Sequence, residues 1–207
     1  MSNQRTAEPL NTWNRLREGN ERLTHAGATQ QERYSVGKPI AAVFRCADAA
    51  QTSEAIFDQR LGSVLNVSTL GHVIDAGVLA TMEYAVGTLE VPLIVVLGHQ
   101  ECSAMQMALQ AWNEAIMPEG ALRAVAEQTM SSIVRRGCTP ESVDSVSVAH
   151  IVDTGLALLE HSPVISRRVD AESCGIVCVT MDLAGRLRTH ATIGALGESN
   201  EALLECV

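Results

Sequence analysis

Aromatic side chains are scarce in this chain, only 3% of 207 residues, although 46% are hydrophobic. A core with so few rings must be filled by Leu, Val, Ile and Ala, which suits one aliphatic α/β domain with an extension. Basic charge is short as well: 15 Lys and Arg stand against 24 Asp and Glu, a net charge of −9. That balance argues against a nucleic-acid scaffold or a surface drawn to anionic lipid, and says nothing against an anion held in a local pocket. No apolar run reaches the ~18 residues of a membrane span. The opening MSNQRTAEPLNTWNRLREGNERL is polar and mixed in charge, unlike a targeting segment. These absences lead us to expect a soluble, cytoplasmic protein. The cysteines, at positions 46, 102, 138, 174, 178 and 206, follow no regular spacing, so reduced thiols or metal ligands are favoured over a disulfide framework. No G-x-G-x-x-G follows a strand pattern, which disfavours a dinucleotide-binding domain.

What is present is an alternation of strand and helix patterns. NTWNRLREGNERL places Trp13, Leu16 and Leu23 on one helical face, with Gly19 weakening the middle. A helix this short is marginal alone and needs a surface to pack on. The polar stretch 24–39 reads as a hinge. IAAVFR (40–45) and SVLNVST (63–69) read as strands around a short helix in TSEAIFDQRL. Asp75 predicts an N-cap for AGVLATMEYAVGTLE, and VPLIVVL (91–97) predicts a strand buried on both faces. Helices are predicted from 103 to about 136, broken near Pro118, and again over roughly 141–169; a strand, a turn at 182–185 and a second strand follow. This order favours a mostly parallel sheet with right-handed crossovers.

Two of the strand patterns run into candidate ligands. IAAVFR leads to Cys46-Ala-Asp48, and LIVVLG leads to His99-Gln-Glu-Cys102. Ligands bind at the carboxyl ends of strands in open α/β sheets. Two thiolates and an imidazole are donors that suit Zn²⁺, with Asp48 as a hard oxygen near the fourth corner. Two thiolates and a neutral His cancel the dication; adding Asp48 closes the site with a net negative charge, whereas a water leaves it open. Of the other candidates, Cys174 and Cys178 read as core residues. His72 either lines a pocket or caps a loop, and His25, His150, His161 and His190 read as surface or structural.

In order and spacing, the chain resembles the β-class carbonic anhydrases. TWNRLREGNERL resembles their N-terminal helix, CADAAQTSEAIFDQRLG their first ligand loop, and GHVIDAGVLATMEYAVGTLEVPLIVVLGHQEC their core helix, strand and second ligand loop. The resemblance implies one domain over 1–207 with four parallel strands plus an edge strand. It also implies homodimers, or dimers of dimers, in which an arm of residues 1–36 packs on a neighbouring subunit. It further implies Zn²⁺ held by Cys46, His99 and Cys102, Asp48 as the active-site aspartate, and Gln59 as a pocket residue that helps hold bicarbonate. The reaction implied is reversible hydration of CO₂ to bicarbonate by zinc hydroxide.

The chain departs from the family pattern beside the metal. In Cys-x-Asp-Ser-Arg the arginine forks onto the aspartate and holds it off the zinc; here Ala49 and Ala50 occupy the last two positions. Ser103 stands where glycine is usual, Ser68 where arginine is frequent, and Arg60 where glycine is usual. We therefore expect Asp48 to turn onto the metal and close the site. Either Arg45 or Arg60 would be a replacement partner, Arg45 the poorer because it points to the opposite face of its strand from Cys46. Three outcomes are compatible with these changes: an anhydrase of reduced or altered activity, a silent relative with structural zinc, and a zinc lyase or hydrolase acting on another small substrate.

Overall fold

In a computed structural model, the described residues are 7–26, 37–137 and 139–196. The side chains of Leu23 and His25, most of the expected hinge, Cys138 and Cys206 lie outside them. Five strands, β1 (Ala41–Cys46), β2 (Val64–Thr69), β3 (Leu93–His99), β4 (Gly175–Met181) and β5 (Leu187–Ile193), form one sheet in the order β2-β1-β3-β4-β5. The first four are parallel and β5 runs antiparallel along β4, as an edge strand, with a bulge at Cys178/Val179. The expected α/β architecture is therefore present.

The apolar runs form strands because both of their faces are covered. On one face Ala42, Phe44, Ile94, Val96 and Ile176 pack with Val78 and Met82 of α3 (Ala76–Glu83), Ile151 of α6 (Val143–His161) and Ile165 of α7 (Pro163–Asp170). On the other, Val43, Val95 and Val177 meet Trp13 and Leu16 of α1 (Ala7–Ala26) and Ile56 of α2 (Ser53–Ile56). Thus the stripe of α1, expected to need a surface, is covered by the chain itself. Gly19 is there for proximity: a Cβ would stand 1.9 Å from the Phe57 carbonyl oxygen, so only glycine lets α1 lie against α2.

Two expected helices are cut short or divided. The helix after Asp75 holds its α-form to Glu83 and then widens into a π-turn over Tyr84–Thr88. The long helix expected over 141–169 is two helices, because Ser162 caps a new start at Pro163 by accepting from the Ile165 N–H. Proline tolerates a first turn but not a helix interior. Cys174 and Cys178 are buried in the core, where burial pushes both thiols up to about 12. Among the described residues no helix is long and apolar enough to cross a membrane.

Candidate metal centre

Strand β1 lies between β2 and β3, so the chain leaves it toward one side and later returns on the other. The carboxyl ends of β1 and β3 flank that switch point, where a crevice forms in open sheets. Cys46 ends β1, His99 ends β3, and Cys102 sits at the N-cap of α4 (Ser103–Glu114). The reversal between His99 and Cys102 depends on Glu101 taking a left-handed φ of 56°. That residue places imidazole and thiol on the same side.

Ligand atoms of Cys46, Asp48, His99 and Cys102 all lie within 4.8 Å of one another. The two sulfurs are 3.6 Å apart, Cys102 Sγ stands 3.8 Å from Asp48 Oδ1, and His99 Nε2 is 2.8 Å from the same oxygen. Four donors with bonds of roughly 2.0–2.3 Å around a tetrahedral cation are separated by about 3.3–3.8 Å. The sulfur separations already meet this, and the shorter N···O distance is a hydrogen bond that a cation would open slightly. The donor set therefore fits a tetrahedral divalent metal.

The electrostatics agree. The hydrogen bond between the two cysteines is the largest influence on both, pulling the Cys46 pKa down and driving that of Cys102 up, so Cys46 is the first to become a thiolate. His99 is raised, first by Cys46 and then, against its own burial, by Asp48. Burial works to raise Asp48, yet hydrogen bonds from Cys46, the Ser103 N–H and His99 outweigh it and hold the carboxyl below the usual range. A divalent cation competes for the lone pairs that hold these protons, so binding would release them.

Asp48 is not without a partner outside the metal donors. The Ser103 N–H at the start of α4 donates to Asp48 Oδ2 at 2.8 Å. This bond satisfies one of the orphan donors at a helix N-terminus, where the helix dipole also favours a carboxylate. It is made by backbone, so serine in place of glycine leaves it intact. Arg45 turns to the loop instead: its Nη1 donates to the carbonyls of Ala49 and Gln51 at 3.0 and 2.7 Å. Neither Arg45 nor the exposed Arg60 is a partner of Asp48 among the described residues.

Gln59 is not brought to this cluster. Cys46 pairs with Thr69 at the carboxyl end of the sheet, whereas Gln59 precedes Val64, which opens β2 at the amino end. The intervening strand separates the two ends by about 17 Å at ~3.3 Å per residue. Its amide donates to the Phe57 carbonyl at 2.8 Å, beside Gly19. The role of holding an anion at the metal thus has no support from its position.

A supporting shell escaped the reading of the sequence. Gly71 donates its N–H to Cys46 Sγ at 3.0 Å and accepts from His150 Nε2 at 2.7 Å. His150 is buried, and burial lowers its pKa, so the ring is neutral with its proton on Nε2. Its Nδ1 lies 2.9 Å from Ser132 Oγ, whose one hydroxyl proton is shared between that nitrogen and Asp153 Oδ2 at 2.8 Å; Asp153 in turn is forked by Arg135. The signal was present as polar residues three apart on two helices, Ser132 and Arg135 on α5 (Leu122–Arg136) and His150 and Asp153 on α6. His72 is buried against Phe44 and His150 and bonded through Nε2 to the Leu97 carbonyl, so it packs beneath the site. His161 is exposed, while His190 bonds Thr180 and lines a cavity of about 290 Å³ beside His99.

Residues 41–186 match the family model described as carbonic anhydrase. Carbonic anhydrase 2 of Mycobacterium tuberculosis is 42% identical over 203 residues, which cover 92% of this chain and 97% of that protein. The carbonic anhydrase of Mycolicibacterium smegmatis is 37% identical over 202 residues, 93% and 98% of the two chains. One solved structure, a tetrameric β-carbonic anhydrase from Sordaria macrospora, matches with a TM-score of 0.64 at 21% identity, over 74% of this chain and 81% of that one. Another, a β-carbonic anhydrase of Aspergillus fumigatus, gives 0.61 at 22% identity over 81% and 80%. At these identities the solved structures speak to the fold, which agrees with the sheet described above. With ligand-bearing strand ends, matching topology and near full-length similarity all in one register, the chain belongs to the β-carbonic anhydrase family.

Proposed function

We propose that this protein is a zinc lyase of the carbonic anhydrase type, interconverting CO₂ and bicarbonate, with a resting centre that Asp48 closes. The observation that carries the reading is the position of Asp48 Oδ1, 2.8 Å from His99 Nε2 and 3.8 Å from Cys102 Sγ, inside the donor cluster. Cys46, His99 and Cys102 would hold the metal, and Asp48 is the fourth donor within reach. When bound, zinc supplies a Lewis acid that brings a water's pKa to near neutrality. The rest falls to the chain. Asp48 has two uses for one carboxylate: Oδ1 either binds in the cluster or, turned aside, accepts a proton from attacking water. The Ser103 N–H donates to Oδ2 and would anchor the carboxylate while Oδ1 turns. Without a guanidinium at position 50 the balance favours the closed position, so activity is reduced at neutral pH and not abolished.

The remaining assignments belong to the same proposal: one domain over 1–207, a cytoplasmic homo-oligomer, and contacts of the 1–36 arm with a neighbouring subunit through faces other than the Trp13–Leu16 stripe.

The test is stopped-flow CO₂ hydration on the zinc protein and on Ala50→Arg. We expect measurable turnover in the parent and at least about a tenfold gain in the variant, the equivalent of roughly 1.4 kcal/mol in the barrier. No turnover in either protein would refute the anhydrase assignment. Turnover that the arginine leaves unchanged would refute closure by Asp48.

A further inference from the structure

The metal ligand Cys46 is held from behind by a continuous line of polar contacts at hydrogen-bond distance. It runs from Arg135 to Asp153, Ser132, His150, the Gly71 peptide and finally Cys46 Sγ. Ser132, His150 and Asp153 are buried, with exposures of 1%, 1% and 6%. Such a network is costly to bury unless its members find partners; Asp153 has the Arg135 fork, His150 has the Gly71 carbonyl, and the one Ser132 proton serves both His150 Nδ1 and Asp153 Oδ2. We propose that His150 is a positioning residue for the metal centre: it grips the Gly71 carbonyl so that the N–H of the same residue stays aimed at the Cys46 sulfur.

The geometry leaves little alternative for the force on Gly71. Its backbone is left-handed, at φ 61° and ψ 29°, in a short 3₁₀ turn between β2 and α3. A carbonyl only accepts, so the 2.7 Å contact requires a proton on His150 Nε2. The other ring nitrogen is then an acceptor for the one proton of the Ser132 hydroxyl, 2.9 Å away, and Asp153 Oδ2, held under the Arg135 fork, is the second acceptor within reach of that proton. Ring tautomer, ring orientation and peptide orientation are thereby set together. An N–H aimed at a ligating sulfur stabilises its negative charge and fixes the lone pairs left for the metal. Groups of this kind behind a ligand change metal affinity by about 10–100-fold when removed.

This inference rests on the metal-centre reading, and the experiment separates the two. Co²⁺ is titrated into the parent, His150→Phe, His150→Gln and Ser132→Ala, with circular dichroism to establish folding. The readouts are Co²⁺ affinity and the thiolate-to-cobalt charge-transfer band. We expect His150→Phe to bind about 10–100-fold more weakly, with its band at lower energy because an unbonded thiolate gives up charge more readily. His150→Gln, which keeps an N–H donor at similar reach, should stay within about threefold of the parent, and Ser132→Ala should shift in the same direction as His150→Phe but less far. Should His150→Phe fail to fold, Ser132→Ala and His150→Gln carry the same contrast. Affinity and band position equal to the parent's in folded His150→Phe and Ser132→Ala, or a His150→Gln loss as large as that of His150→Phe, would overturn the proposal. A parent that shows no thiolate band overturns the metal centre itself.

Discussion

Gly71→Ala perturbs fold and site through one methyl group, and its cost can be worked from the structure. The native φ of 61° lies in the left-handed region, which costs a non-glycine residue about 1–2 kcal/mol. The new Cβ would stand 2.7 Å from Val125 Cγ1 and 3.0 Å from Ala104 Cβ. Val125 can move its side chain, but Ala104 has no rotamer with which to yield, and overpacking of this kind costs about 1–3 kcal/mol. Alanine also narrows the unfolded ensemble, which offsets about 0.4–1 kcal/mol. The net loss is about 3 kcal/mol, a large part of the 5–15 kcal/mol by which domains are stable. Urea unfolding of the parent and variant measures it directly, and the melting temperature should fall by about 6–12 °C. Any relief of the clash tilts the peptide whose N–H meets Cys46, so weaker metal binding should accompany the loss. A variant within about 1 kcal/mol of the parent, with unchanged metal affinity, would refute both the tight packing of Gly71 and its link to the thiolate.

Two further outcomes follow from buried groups. Burial, and then the neighbouring His150, push His72 down to about 3, so the unfolded chain takes up this proton first as pH falls from about 6.5. Stability present above that pH is therefore lost on the way down, at about 1.4 kcal/mol per pH unit for one fully buried histidine. Urea melts between pH 7.5 and 4.5 should show a shallower slope, by nearly one proton, in His72→Gln; equal slopes would contradict a neutral, buried ring. At Gly19, alanine raises intrinsic helix propensity by about 1 kcal/mol, yet the Cβ would lie 1.9 Å from the Phe57 carbonyl oxygen. We expect Gly19→Ala to lower the melting temperature and shift Trp13 fluorescence to the red as α1 lifts, whereas a more stable variant with unchanged emission would show that α1 does not pack this closely.

The fold was largely legible because its signals are local. A short continuous apolar run rich in β-branched residues, such as LIVVL, suits a central strand buried on both faces, and Asp75 marks a helix start with its own side chain, which accepts from the Val78 N–H. The break at Ser162-Pro163 was also local, but the apolar periodicity running through it masked the cap. The metal donors were legible for a related reason: Cys46 and His99 lie where two predicted strands end, and parallel strands deliver their carboxyl ends to one edge.

Sequence alone thus determined the architecture, the four converging donors and the absence of the arginine beside Asp48. Only the tertiary structure decided what holds the donors. The Ser103 N–H reaches Asp48 across 55 residues of chain, and Gly71 reaches Cys46 across 25. Both are backbone groups, present at nearly every position, and no residue type announces which one will point at a ligand. The same holds for Gln59, whose side chain suits anion binding but whose position at the amino end of β2 keeps it from the cluster. Residue chemistry sets what a group can do, and packing sets which groups meet.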